Sequence, residues 1–302
     1  MKVTILGCHS ATPRENAHPT SQFLEMKGRH FLIDCGEGTQ MQLRKYHLKF
    51  TKINHVFISH LHGDHFYGLI GFLSTLGILG RTKDLHVYGP KGLKEIITLQ
   101  LRLTSSYNEY HIVFHELESK SSELIFEDEK VRVFTIPLKH RVYTNGFLFK
   151  EKIGDRKLNI KVVKQYKEIE VCDYQNLKNG KDFVLENGTV LVNETLTNAP
   201  TPPLSYAFCS DTKYKENITE IIKNIDLLYH ESTFLEDRAD LAKKTMHSTA
   251  LEAAKIAKLA QVKKLIIGHY SSRYKDLSLF KKEAKTVFEN VVLGEEGLSY
   301  EL

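Results

Sequence analysis

No run of the sequence is long and apolar enough to cross a bilayer. The longest nearly uncharged stretch, Leu69 to Gly80, falls short of the roughly 20 apolar residues a spanning helix needs and is broken by glycines. Cysteine is scarce as well. Cys8, Cys35, Cys172 and Cys209 are scattered without any C-x-x-C pair, which argues against a disulfide framework and against a thiolate zinc ribbon. The opening Met1-Lys2-Val3-Thr4-Ile5-Leu6-Gly7 lacks the longer apolar region and small-residue cleavage site of a secretory leader, so a cytoplasmic protein with no membrane partner is expected. Internal repeats and low-complexity segments are missing too. Neither sign of charge dominates, since 42 Lys+Arg against 37 Asp+Glu leave a net charge of only +5, which permits an acidic partner without demanding one.

What is present is a chain of 302 residues, 41% hydrophobic, enough for one large core unit or two fused ones. Short runs of β-branched and aromatic residues read as buried strands: Val3–Leu6, His30–Ile33, His55–Ile58, Leu85–Tyr88, Val131–Ile136, Ala207–Cys209, Leu227–Tyr229 and Leu265–Ile267. Helical patterns lie between them at Gly38–His47, Phe66–Leu79, Leu93–Leu103, Asn217–Lys223, Thr249–Leu259 and Ser278–Phe288. The fold class is therefore α/β, with helices covering sheet faces. Thr249 and Glu252 have the spacing of a capping box, which fixes the start of the Thr249–Leu259 helix. The clearest break in pattern is a polar, basic stretch from Lys150 to Asn198, followed by Pro200-Thr201-Pro202-Pro203, a loop that cannot continue a helix or a central strand.

The 15 histidines carry the sharpest signal. His60-Leu61-His62-Gly63-Asp64-His65, directly after Val56-Phe57-Ile58-Ser59, places four ligand-type side chains in one short segment, which would be costly to bury without a cation. Nitrogen and carboxylate donors favour zinc or a similar divalent metal. Three more ligand-type residues follow apolar strands in the same way: His140, Asp211 and His269. In helix-flanked sheets functional residues collect at strand ends, so these termini can converge on one cleft. Five histidines and two aspartates suffice for two metals, with Asp211 the most suitable bridge, and two metals about 3.5 to 4 Å apart form a hydrolytic centre. His247, just before the N-cap of the Thr249 helix, reads from the sequence alone as a loop histidine, because a helix N-terminus disfavours protonated imidazole.

Together with Leu6–Pro13, Asp34–Gln40, Leu79–Thr82, His230–Phe234, His247–Thr249 and Gly268–Tyr274, this pattern is similar to the metallo-β-lactamase fold. Within it the chain resembles the ribonuclease Z family of tRNA 3′-processing endonucleases from Val3 nearly to Leu302. The resemblance implies an αββα sandwich, residues 1–302 as one domain, with a binuclear metal site at strand ends. It implies that His60, His62 and His140 hold one zinc, that Asp64, His65 and His269 hold the second, and that Asp211 bridges them. Asp64 is also implied as the general base, and His247 as a proton donor or phosphate contact near the leaving oxygen. Asp34 is implied to orient a ligand histidine, and Gly36-Glu37-Gly38 to shape the cleft wall.

Ser271 and Arg273, just after His269, are candidates for holding a phosphate, as is Arg81, because a guanidinium presents a planar fork to phosphate oxygens. The resemblance also gives the basic stretch a meaning. The family carries a protruding arm between its ligand histidine and its bridging aspartate, and residues 150–198 occupy that interval. From Lys150 to Lys181 nine basic residues face five acidic ones, so a few lysines, Lys178 among them, are expected to touch tRNA phosphates in a salt-sensitive way. No Gly-Pro pair occurs in the segment Val171–Gly180, where many family members have one. The expected function is zinc-dependent removal of 3′ trailers from precursor tRNA by metal-activated hydroxide, leaving a 3′-hydroxyl on the tRNA, by a homodimer. The alternative is a hydrolase of the same fold acting on a small phosphodiester or thioester.

Overall fold

The structure, a computed structural model, describes residues 1–106 and 109–302. These divide into two compact units, Met1–Lys150 with Leu204–Leu302, and Glu151–Pro203.

The larger unit is built on two seven-stranded sheets. In spatial order the first runs Ser299–Glu301, Lys2–Gly7, Ser21–Met26, Arg29–Cys35, His55–Phe57, Leu85–Pro90 and Ile112–Leu117. Its first three pairings are antiparallel and its last three parallel. The second runs Val291–Leu293, Lys264–Gly268, Leu227–Glu231, Ser205–Cys209, Asn145–Glu151, Val131–Pro137 and Leu124–Glu127, parallel over its first three pairings. Side-chain alternation along the strands decides the layering. Val3, Ile5, Phe31, Ile33 and Phe57 point into a core shared with Phe147, Phe149, Tyr206 and Phe208 of the second sheet, whereas Leu6, Leu32, Val56 and Ile58 pack against the helices Thr39–Lys45, Leu69–Ile78 and Leu93–Leu103. Rings cross the sandwich directly, Phe57 to Phe147 at 5.3 Å and Phe31 to Phe149 at 5.4 Å between centroids. The helices Ala250–Leu259 and Ser278–Lys285 bury Ala253, Ala254, Ala257 and Phe280 in the core that includes the second sheet. The αββα sandwich is thus formed.

All eight strands expected from sequence are present, and the capping box on Thr249 forms as the spacing requires, with Thr249 accepting from the Glu252 amide. The expected Phe66–Leu79 helix is two helices, Gly63–Phe66 and Leu69–Ile78, which meet at Gly68. A side chain there would lie 2.0 Å from the Gly36 carbonyl oxygen, so the chain turns at a backbone-to-backbone contact. The expected Asn217–Lys223 helix is corrected: only Glu216–Ile218 forms a single 3-10 turn, followed by turns that bury Ile218, Ile222 and Ile225. Its β-branched residues are spent on filling the core rather than on continuing a helix. Ala239–Thr245 is a helix that sequence periodicity did not reveal.

The smaller unit has its own core of Val163, Ile169, Leu177 and Leu196. Short helices at Ile160–Val163, Tyr174–Lys178 and Asn193–Leu196 surround it, with a hairpin pairing Phe183–Val184 with Val190–Leu191. Asn193 ties it together by donating to the carbonyls of Leu177 and Lys181. Lys157, Lys161, Lys164, Lys167 and Lys181 are exposed on it. No helix among the described residues is long and apolar enough to cross a membrane.

Candidate metal centre

Five strand ends of the larger unit deliver the polar side chains. His60 to His65 follow the strand His55–Phe57; His140 follows Val131–Pro137, Asp211 follows Ser205–Cys209, His269 follows Lys264–Gly268, and Glu231 closes Leu227–Glu231. Two donor groups result, His60, His62, His140 and Asp211 on one side and Asp64, His65 and His269 on the other. Asp211 faces both. Its Oδ2 lies 3.7 Å from His60 Nε2 and 3.8 Å from His140 Nε2, while its Oδ1 lies 3.4 Å from His65 Nε2 and 3.2 Å from His269 Nε2. Asp64 Oδ2 is 3.4 Å from His65 Nε2 and 3.5 Å from His269 Nε2. Donors about 2.0 to 2.1 Å from a tetrahedral ion stand roughly 3.3 Å apart, which is the spacing these atoms have.

The donors are also left without other work. His65 Nε2, His269 Nε2 and Asp211 Oδ1 are buried and accept or donate no hydrogen bond, a cost that cations at these positions would remove. Their far sides are fixed instead. His65 Nδ1 donates to Asp34 at 2.7 Å, His140 Nδ1 to the Met246 carbonyl at 2.8 Å, and His269 Nδ1 lies 2.8 Å from Thr233 Oγ1. Such ties set which nitrogen faces the ion. Asp34 also accepts from the Ser59 amide and hydroxyl. Two of the non-glycine residues here hold left-handed backbones, Asp34 at φ 54° and His269 at φ 63°, conformations that persist only where surrounding contacts impose them.

Charge is arranged to match. Burial alone would neutralise Asp211, but His269, His65 and His247 hold its carboxyl well below the usual range. Asp64 likewise stays ionised against its burial, through His65 and His269. His65 is raised although burial opposes it, because Asp211, Asp64 and Asp34 surround it.

Beside the donors, His247 Nδ1 lies 3.0 Å from Glu231 Oε1 and 3.1 Å from Thr233 Oγ1, with its ring stacked on His269 and packed 4.9 Å from His140. Glu231 is fully buried and accepts also from the amides of Thr212, Thr233 and Ser248. Burial works against a charged His247, yet Glu231 and then Asp211 push it up to about 9. The local carboxylate thus outweighs the helix terminus that the sequence pattern had favoured. Glu231 and Thr233 were not singled out as functional from sequence. The available signal is a carboxylate two residues after a buried apolar run, the same positional clue that identifies Asp211.

A cavity of about 390 Å³ opens over these groups, with Asp64, Asp211, His247, Ser271, Arg273 and Arg141 among its walls. Ser271 is buried at its edge, and Arg273 donates to the Ser271 hydroxyl at 3.4 Å. A neighbouring hollow of about 470 Å³ is walled by Ser10 to Pro13, Glu37, Gly38 and Asp64. Arg81 is a correction. It is buried with its guanidinium donating to the carbonyls of Ile53, Lys83 and Asp84 and to Asn54 Oδ1, so it fastens a loop and does not line the cavity. Lys178 lies in the smaller unit, at the end of the helix Tyr174–Lys178.

Comparison with known proteins follows the same lines. A protein described as ribonuclease Z from Bacteroides thetaiotaomicron is 48% identical over 294 residues, covering 97% of this chain and 93% of its own length. Another from Bacteroides fragilis is 46% identical over 298 residues, covering 99% and 98%. The crystal structure of human tRNase Z, short form, superposes with a TM-score of 0.72 at 28% identity, covering 100% of this chain and 99% of the other. Residues 1–185 match the family model described as Anti-Pycsar protein Apyc1.

Proposed function

This chain belongs to the ribonuclease Z family and is a tRNA 3′-processing endoribonuclease of the metallo-β-lactamase fold, and we propose that two zinc ions, held as the donor geometry suggests, serve that activity. Its first 185 residues belong equally to the family of the Anti-Pycsar Apyc1 model. In this reading His60, His62 and His140 hold one ion, Asp64, His65 and His269 the other, and Asp211 gives one oxygen to each. The observation that carries it is the split of the two Asp211 oxygens between the two donor groups. Bound there, the ions supply Lewis acidity and bring the ionisation of water near neutral pH.

The protein's own groups account for the proton movements. Asp64, ionised and at the wall of the cavity, accepts a proton from the attacking water as the new O–P bond forms. His247, kept protonated by Glu231, gives its proton to the departing O3′ as the P–O bond breaks, so that the tRNA retains a 3′-hydroxyl. Arg273 and Ser271 hold phosphate oxygens at the rim. The unit Glu151–Pro203, with its exposed lysines, serves as an arm that binds tRNA, and Lys178 belongs to it. The protein acts in the cytoplasm as a homodimer.

The test is cleavage of a 3′-extended precursor tRNA by zinc-loaded protein, with the product end mapped and bound metal counted. Cutting just after the unpaired nucleotide that follows the acceptor stem, abolished in Asp64→Ala, with two zinc ions per chain, supports the reading. Hydrolysis of small phosphodiesters without cleavage of the precursor would refute the substrate.

A further inference from the structure

The cavity over the metal-ligand groups continues past Arg141 into a second hollow of about 460 Å³. The loop that carries His140 builds it. The Leu138 amide donates to the Thr144 carbonyl and closes the loop, burying His140 on the metal side and leaving Lys139 and Arg141 exposed on either flank. Tyr143 donates to the Ser119 carbonyl and brings Lys120 to the opposite wall. Lys215, anchored on the Pro137 carbonyl at 2.6 Å, completes the lining.

Four cations therefore face one hollow, and among the described residues no carboxylate lines it. Lys120, Lys139 and Arg141 make no side-chain hydrogen bond or ion pair with any described residue. That is unlike other cations of this unit, where Arg29 pairs with Asp128, Lys91 with Glu118 and Lys263 with Asp226. It is also unlike the roomier hollow of about 590 Å³ beside His30, whose Arg29 is neutralised by Asp128 on the same wall. After burial, Lys139 is what depresses the Lys215 ammonium, so the charges inside the hollow press on one another. Unneutralised cations gathered in a concavity suit a polyanion. The hollow's place beside the reacting groups selects which one.

We propose that this hollow binds backbone phosphates of the RNA on the 5′ side of the scissile bond, with Arg141 as the shared wall over which the strand enters the catalytic cavity. The side follows from His247, whose ring packs against His140 and whose proton goes to the oxygen retained by the 5′ fragment. This rests on the tRNA-processing reading above.

The test uses the zinc-loaded full chain with Lys120→Gln, Lys139→Gln and the double variant, and Lys94→Gln on an exposed helix face as control. Lys120 lies away from the ligand histidines in sequence, so its variant keeps the test sound if Lys139→Gln disturbs His140. Each variant raises KM for precursor tRNA about fivefold to tenfold. The slope of log K against log salt shrinks by roughly 0.7 to 0.9 per lysine. The loss is at least several-fold smaller on bis(p-nitrophenyl) phosphate, which has no flanking phosphates. A neutral methylphosphonate placed 5′ of the scissile phosphate erases the difference between variant and wild type, as a double-mutant cycle requires for direct contact. Variants indistinguishable from Lys94→Gln on a precursor that the wild type cleaves overturn this inference alone, as does erasure by a 3′-side methylphosphonate instead. A wild type that hydrolyses the small diester and leaves the precursor intact overturns the inference together with the reading beneath it.

Discussion

Glu231→Gln keeps the size of a fully buried side chain and removes its charge, while turning one of its two accepting oxygens into an NH2 that faces N–H donors. Wild-type His247 stands at about 9 against an ordinary 6.5, with burial opposing the rise and Glu231 the first group driving it. At pH 8 such a group is ~90% protonated; a fall all the way to the ordinary 6.5 would leave ~3% protonated, a loss of roughly 30-fold in available donor, and Asp211, which still faces His247, keeps the variant's loss below that unless burial prevails. Bound cations draw the value down in both proteins, which makes the displacement between them the quantity to compare. The assay is the pH dependence of kcat on precursor tRNA, supported by NMR titration of the histidines in metal-free protein. The alkaline limb is expected to move down by about two pH units, with a far smaller loss on bis(p-nitrophenyl) phosphate, whose leaving group departs without a proton. Stability follows the same sign. A raised histidine favours the folded state fully below about pH 6.5, and that contribution is lost as pH climbs through about 9; the variant lacks this window. Coincident alkaline limbs in wild type and variant would sink the reasoning, because His247 would then not be held protonated by Glu231.

Asp211→Ala removes the carboxylate that faces both donor groups, and elemental analysis of dialysed protein should find well under two metals per chain. Asp34→Ala frees His65 Nδ1 and the Ser59 amide together, and metal affinity measured by competition with a chelator should fall about 10- to 100-fold. Arg81→Met should lower unfolding stability in urea by about 2 to 4 kcal/mol, because several buried acceptors lose their donor. Its folded protein should keep most of the wild-type kcat, whereas a large selective loss of kcat would restore Arg81 to a substrate role. Stripping the metal should lower the melting temperature in calorimetry and make it depend on added zinc, since ions bound only by the folded chain stabilise it by mass action.

The donors were legible because side chains of that chemistry are expensive at the ends of buried strands, and His60 to His65 concentrates four of them. The strands legible in the sequence are those with dense β-branched or aromatic runs. Ser21–Met26 and Asn145–Glu151 escaped because glutamine, glutamate, asparagine and lysine interrupt them, and only pairing across the sheet makes them strands. Arg81 misleads because the sequence displays a guanidinium but not the carbonyls waiting for it. The hold of the Met246 carbonyl on His140 depends on a backbone turn at φ 59°, and a main-chain acceptor leaves no trace in residue types. Glu231 belongs between these cases: its position after Leu227-Leu228-Tyr229 is a clue, while its pairing with His247 becomes visible only in three dimensions.

The donors come from both sheets and from strand ends as distant in the chain as His60 and His269, so no fragment assembles them. A metal held by the full donor set is thereby taken up late, once both halves of the sandwich have closed. Occupancy then works as a mark of correct manufacture. A chain with one sheet unformed presents only part of either donor group, so a filled full set distinguishes finished copies from unfinished ones.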